Sequence, residues 1–247
     1  FGISVYQMRH LVRLVKSYDM RIVGLHMHTG SEILDAEVFI QGAEILYQAA
    51  REFPELEFID FGSGFKVPYR DGQVVTDVEA LGRRLTASFG EFCAEYGRPL
   101  EIWFEPGKFL VSASGYFLVR TNVVKQTVST VFAQVDSGHN HLIRPMFYDA
   151  YHRIVNVSNP GGTPRVYSVV GYICETDTFG WDRQIAEIRE GDILCFFNAG
   201  AYGYEMASNY NSRPRPAEVL IVNGRAHLVR RRETLDDLQR TLVPFEP

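Results

Sequence analysis

Apolar residues recur at three-and-four spacing at the start of the chain. Val5, Met8, Leu11, Val12 and Val15 share one face, with Arg9, Arg13 and Lys16 between them, which predicts an amphipathic helix over 4–18 with Ser4 as its N-cap. A short apolar run over 21–28 then predicts a buried strand with a polar C-terminal end, His26-Met27-His28, leading into Thr29-Gly30-Ser31. Helical spacing returns over 36–53 and stops at Pro54. A second strand is predicted over 57–61, running into Gly62-Ser63-Gly64. A further helix over 78–96 ends at Gly97, and a third strand over 100–104 leads into Glu105-Pro106-Gly107-Lys108. Helix and strand in alternation predict a parallel α/β layer, whose functional groups collect at the C-terminal ends of the strands. These units fill residues 1–110. A closed eightfold barrel takes roughly 250 residues, so a barrel would be present only in part.

Beyond Lys108 the pattern changes to short alternating or β-branched runs over 116–119, 128–135, 166–170, 193–197, 218–222 and 226–229. Turn residues separate them, including Asn159-Pro160-Gly161-Gly162 and Asn223-Gly224, so residues 111–247 are expected to form an all-β domain, an antiparallel sheet or barrel with hairpins. A last helix is predicted over 235–242, with Thr234 and Asp237 as a capping pair. One stretch, 197–216, keeps neither period. Its two glycines, three asparagines, three tyrosines and Arg213-Pro214-Arg215-Pro216 suggest a loop built for contacts, although an ordered surface loop has the same composition.

Composition narrows the function. A net charge of −5, with the one dense basic run Arg230-Arg231-Arg232 followed at once by Glu233, Asp236 and Asp237, argues against nucleic acid or an anionic membrane as the main partner. Three cysteines, Cys93, Cys174 and Cys195, lack Cys-x-x-Cys spacing. They argue against a disulfide scaffold or structural zinc and for a reducing, cytoplasmic setting. No apolar run has membrane-spanning length.

The candidate chemistry lies at strand ends and in loops. His26 and His28, two apart on a strand, project to one face. They suit a metal pair, with His139 and His141 as a second pair, or a cofactor seat in which His28 offers a flat ring and Ser31 a hydroxyl, or two histidines bonded locally. Gly62-Ser63-Gly64 after a strand is either a phosphate cradle or a tight turn. Glu105 with Lys108 is either a site carboxylate with its cation or a surface pair. In the second domain Arg144 can grip a carboxylate in bidentate fashion with Tyr148 as a further donor, while Cys174-Glu175-Thr176-Asp177 clusters a thiol with two carboxylates.

Six stretches taken in order resemble a known family: residues 24–31, 60–65, 105–108, 136–152, 170–176 and 199–216. They are similar to the fold-type III pyridoxal phosphate-dependent decarboxylases, in particular the branch acting on meso-2,6-diaminopimelate. The resemblance implies an α/β plus β architecture: the C-terminal part of a pyridoxal phosphate-binding α/β (TIM-type) barrel over 1–110, then a β domain over 111–247 with substrate and dimer contacts. It implies pyridoxal 5'-phosphate as cofactor. His28 would stack on its ring, Ser31, Gly62, Ser63, Gly64 and Gly107 would hold its phosphate, and Glu105 would pair with the ring nitrogen. Lys108 and Tyr202 would serve both cofactor and substrate. Arg144, Tyr148 and Glu175 would bind the far end of the amino-acid substrate, and Cys174 would protonate the product. The family's Cys-Glu segment is supplied by the partner subunit, implying a homodimer with shared active sites. The implied reaction is decarboxylation to L-lysine, in lysine biosynthesis.

Three departures stand out. The family's glycine triplet has Ser63 at its centre, its arginine after Glu-Pro-Gly is Lys108, and none of the four lysines, Lys16, Lys66, Lys108 and Lys125, stands in the strand-end context of the cofactor-anchoring lysine. That lysine is expected upstream of residue 1. Alternatives are an ornithine- or arginine-type decarboxylase of the same fold, a non-catalytic relative, and a metal-dependent barrel hydrolase using His26, His28 and Glu105.

Overall fold

Local rules set the first elements of the computed structural model, which describes residues 2–245. Ser4 accepts a hydrogen bond from the Tyr6 amide and starts a 3-10 turn, Val5–Gln7, that runs into α1, Met8–Ser17. The chain divides into two units, Phe1–Leu110 and Val111–Pro247.

In the first unit β1 (Gly24–His26), α2 (Ala36–Ala50), β2 (Phe58–Asp60), α3 (Val78–Tyr96) and β3 (Glu101–Trp103) alternate, and α4 (Gly107–Val111) follows. Asp35 and Asp77 cap α2 and α3 by accepting from the amides of Glu37 and Ala80. Gly97, at φ 87°, ends α3 in the left-handed conformation. The three strands form a parallel sheet in the order β1-β2-β3, with Gly24 opposite Phe58 and Phe58 opposite Glu101. Phe39, Ala43, Tyr47, Leu85, Phe89 and Phe92 of the two long helices close over Ile59 and Phe61, and the Tyr47 ring stacks on Phe92 at 4.5 Å.

Two expectations change here. β1 is expected to be a buried strand, yet only β2 is substantially buried, because it alone has a strand on each side; β3, at the other edge, is exposed along its length. The regular strands also span three residues each, shorter than the apolar runs that announced them. No closed barrel occurs among the described residues: three parallel strands make an open sheet.

The second unit contains β4 (Phe117–Gln126), β5 (Val131–Val135), α5 (Arg144–Tyr148), β6 (Ile154–Asn156), β7 (Pro164–Val170), β8 (Thr178–Ala186), β9 (Ile193–Phe196), β10 (Glu218–Val222), β11 (Arg225–Arg230) and α6 (Leu235–Gln239). Six strands form one sheet in the order β6-β9-β4-β5-β7-β8, and β6 also lies beside β8, so the sheet nearly closes on itself. Its interior holds Val119, Val135, Tyr167, Phe179, Leu194 and Phe196.

The sheet is mixed rather than antiparallel, since β5 and β7 run parallel. Parallel neighbours require a long crossover, and the crossover is the polar segment between Val135 and Pro164 that carries α5 and β6. Asn159-Pro160-Gly161-Gly162 consequently joins strands that do not pair with each other. Asn223 and Gly224 do form a hairpin turn, between β10 and β11, at φ 50° and 72°. The last helix has the expected capping box of Thr234 and Asp237 but stops at Gln239.

Candidate active site

The parallel ladder continues past the strand ends and so fixes the polar groups there. Met27 N–H donates to the Asp60 carbonyl at 3.0 Å, Phe61 N–H to Trp103 at 3.0 Å and Glu105 N–H to the Gly62 carbonyl at 2.7 Å. Asp60 accepts from the Gly62 amide at 2.8 Å, which pulls the chain into a left-handed turn at Gly62, φ 63°, and again at Gly64, φ 115°. Both positions need glycine. A Cβ on Gly62 would lie 2.4 Å from the Met27 carbonyl oxygen and 3.2 Å from His28 Nδ1, and one on Gly64 would lie 2.4 Å from the Gly30 carbonyl oxygen. The loop carrying Ser31 is tied to the glycine turn by Ile33 N–H donating to the Gly64 carbonyl at 2.8 Å.

Over this turn stands Glu105, an exposed carboxylate accepting from His26 Nε2 at 3.2 Å. The ligating atoms of His26, Asp60 and Glu105 lie within 4.8 Å of one another. The trio differs from the alternative metal set of His26, His28 and Glu105, since Asp60 stands in place of His28. Lys108, next to Gly107, is largely buried; its ammonium pairs with Glu32 and lies 5.8 Å from the centre of the Tyr69 ring.

The second unit builds its polar groups differently, on buried anchors. Asp177 accepts from the amides of His139 at 2.7 Å and Ile173 at 2.9 Å, binding the 136–141 segment to the turn that carries Cys174 and Glu175. Burial pushes the Asp177 carboxyl up, against the lowering effect of those two amides. Cys174 and Glu175 are exposed, with Cys174 Sγ–H donating to Glu175 at 3.4 Å. The other oxygen of Glu175 accepts from the Tyr210 hydroxyl, a bond that holds the Glu175 carboxyl below its usual range.

Arg144 and Tyr148 are one helical turn apart on α5, Arg144 buried and Tyr148 exposed. Arg144 lies over the Tyr202 ring at 6.0 Å and faces His152 Nε2 at 3.3 Å. The other ring nitrogen of His152 meets the Phe197 carbonyl at 2.8 Å, and a carbonyl can only accept, so Nδ1 carries the proton. Burial lowers His152 to about 4. It is therefore a neutral acceptor for Arg144 near pH 7.

The contact-rich stretch 197–216 is a pinned loop. Gly200 and Gly115 pack backbone to backbone: a Cβ on Gly200 would lie 1.9 Å from the Val111 carbonyl oxygen. Tyr202 adopts a left-handed φ of 57°, a costly conformation for an aromatic residue. Farther along, His141 donates to the Pro214 carbonyl at 3.0 Å, and Arg215 reaches Glu233 through Nε at 2.8 Å, pulling the Glu233 carboxyl down to about 2. His139 and His141 each serve this packing, with His141 Nδ1 also 2.8 Å from the Ser137 hydroxyl. Sequence reasoning gave no part to Asp60, Glu32, His152 or Tyr210, and took Asp177 for a second carboxylate beside Cys174 rather than for an anchor. Asp60 and His152 carried a hint, since they open and close two of the quoted stretches, 60–65 and 136–152.

Comparison with known proteins agrees with this layout. Residues 18–200 match the family described as pyridoxal-dependent decarboxylase, C-terminal sheet domain. The chain is 41% identical to a diaminopimelate decarboxylase of Methanothermobacter thermautotrophicus, over 97% of this chain and 58% of that protein, and 36% identical to one of Escherichia coli K12, over 91% and 57%. A crystal structure of M. jannaschii diaminopimelate decarboxylase in co-complex with L-lysine superposes with a TM-score of 0.88 at 31% identity, covering 99% of this chain and 58% of that one. The chain thus spans somewhat under three fifths of the length of these relatives. It belongs to the pyridoxal-dependent decarboxylases.

Proposed function

We propose that the full-length protein decarboxylates meso-2,6-diaminopimelate to L-lysine with pyridoxal 5'-phosphate, and that this chain is its C-terminal three fifths. The observation that carries the reading is the strand-end constellation of the first unit. Two turns without side chains, at Gly62 and Gly64, lie beside an exposed carboxylate, Glu105, with a ring, His28, packed over the first glycine. This donor set fits the cofactor: bare backbone at Gly62 and Gly64 with the Ser31 and Ser63 hydroxyls suits a phosphate, and a carboxylate suits a protonated ring nitrogen. Gly107 completes the phosphate seat, and Lys108, already held by Glu32, contributes positive charge nearby. The three βα units are read as part of a barrel whose earlier strands supply the anchoring lysine.

The bound cofactor delocalises the electron pair left on the α-carbon when carbon dioxide departs. The chain's own residues do the rest. Glu105 keeps the ring nitrogen protonated. Arg144, held by His152, takes the distal carboxylate of the substrate, with Tyr148 and Tyr202 as further donors, and Glu175 takes the distal ammonium. Cys174 delivers a proton to the α-carbon. Cys174 and Glu175 act in the partner's site of a homodimer, and three unpaired thiols suit a cytoplasmic setting. Among the described residues no helix is long and apolar enough to cross a membrane.

The test is direct. Purified full-length protein is expected to bind one equivalent of pyridoxal phosphate and to release carbon dioxide from meso-2,6-diaminopimelate faster than from ornithine or arginine. Faster release from ornithine would overturn the substrate assignment, and activity that is lost to a chelator and restored by a divalent metal would overturn the cofactor.

A further inference from the structure

His26 has no part in the mechanism above, yet it sits at its centre. It ends β1, directly across the register from Asp60 at the end of β2, and Glu105 follows the end of β3. Two carboxylates are thus brought within 4.8 Å of each other and of one imidazole by adjacent parallel strands. Such a pair repels unless a donor comes between them. Asp60 already spends Oδ1 on the Gly62 amide, and Glu105 receives His26 Nε2–H at 3.2 Å.

We propose that His26 is a positioning residue for Glu105: it holds Oε2 by hydrogen bond, sets the rotation of the carboxylate and leaves Oε1 to meet the protonated nitrogen of the cofactor ring. The inference rests on the cofactor reading but concerns a residue which that reading leaves without a role. Its chemistry is that of outer groups which orient an inner ligand. A glutamine, whose amide N–H can replace the imidazole donor, should preserve the effect, and an alanine should not.

Two measurements test it. In cofactor-free protein, the His26 Nε2–H proton is expected to be visible by 15N-edited NMR and to vanish into solvent exchange in Glu105→Ala; an unchanged signal overturns the pairing, whatever the cofactor does. In the full-length holoenzyme, His26→Ala should weaken pyridoxal phosphate about tenfold, as expected for one charged hydrogen bond. It should also shift the pH at which the bound cofactor's absorbance band changes and lower kcat with KM for the amino acid unmoved, and His26→Gln should restore most of each. Equal losses in both variants, or no loss in His26→Ala, overturn the role. Failure of wild-type full-length protein to take up pyridoxal phosphate, with the NMR pairing intact, would instead sink the cofactor reading.

Discussion

The two units place their polar side chains by different physics. In the first, a regular backbone does the work: Asp60, the glycine turn and Glu105 sit where they do because the parallel ladder runs on through Met27, Phe61 and Glu105. In the second, the candidate groups lie on irregular crossover and loop segments that no ladder can hold, and buried polar groups hold them instead, with Asp177, His141 and His152 each bonding to backbone atoms far along the chain. A ladder spreads the cost of any one lost bond over its neighbours. A buried anchor concentrates it.

The sharpest way to break this contrast is to delete an anchor in each unit. Asp177→Ala leaves two buried amides unpaired, at about 1–3 kcal/mol each, so denaturant unfolding should show a loss of about 4 kcal/mol; Asp60→Ala, which frees one amide within a ladder, should lose clearly less. Equal losses would erase the distinction.

Acid offers the second test. His152 sits near 4 in the folded chain against an ordinary 6.5, so the unfolded chain binds the proton more readily and stability falls as pH drops from about 6.5 towards 4. The shift corresponds to about 3 kcal/mol at most, and His152→Gln should flatten that part of the stability curve. A curve unchanged by this substitution would mean that the buried histidine is not the sensor.

Gly62→Ala probes the ladder unit at its least tolerant point. A left-handed φ of 63° and a Met27 carbonyl 2.4 Å away should cost about 2 kcal/mol by thermal unfolding, with a matching loss of cofactor affinity in the full-length protein. Smallest is Tyr210→Phe. Without the hydroxyl the Glu175 carboxyl rises towards its usual range, so KM for diaminopimelate should increase a few-fold, most at the acid end of the pH profile. A uniform increase across pH would assign Tyr210 a purely steric part.

The same contrast explains what could be read from the chain. Caps and turns are written in neighbouring residues, so Ser4, the Thr234 and Asp237 box and the Asn223-Gly224 hairpin were legible directly. The placement of Glu105 and the glycine turn was legible because a parallel layer gathers the C-terminal ends of its strands along one edge. Pairings across long intervals were not. Lys108 with Glu32, Tyr210 with Glu175 and the parallel partnership of β5 with β7 depend on how distant segments return, and no local period encodes that. Burial of β1 was misjudged for the same reason, since an apolar strand does not reveal whether it lies at the centre or the edge of its sheet.

β3 has a consequence for behaviour in solution. It carries Ile102 and Trp103 exposed at the border of the three-stranded sheet, the position at which a sheet accepts a further strand. A polypeptide limited to these residues therefore presents a sticky template, and its solution behaviour should depend on concentration: dilute samples stay dispersed, while crowded ones build up assemblies by strand addition.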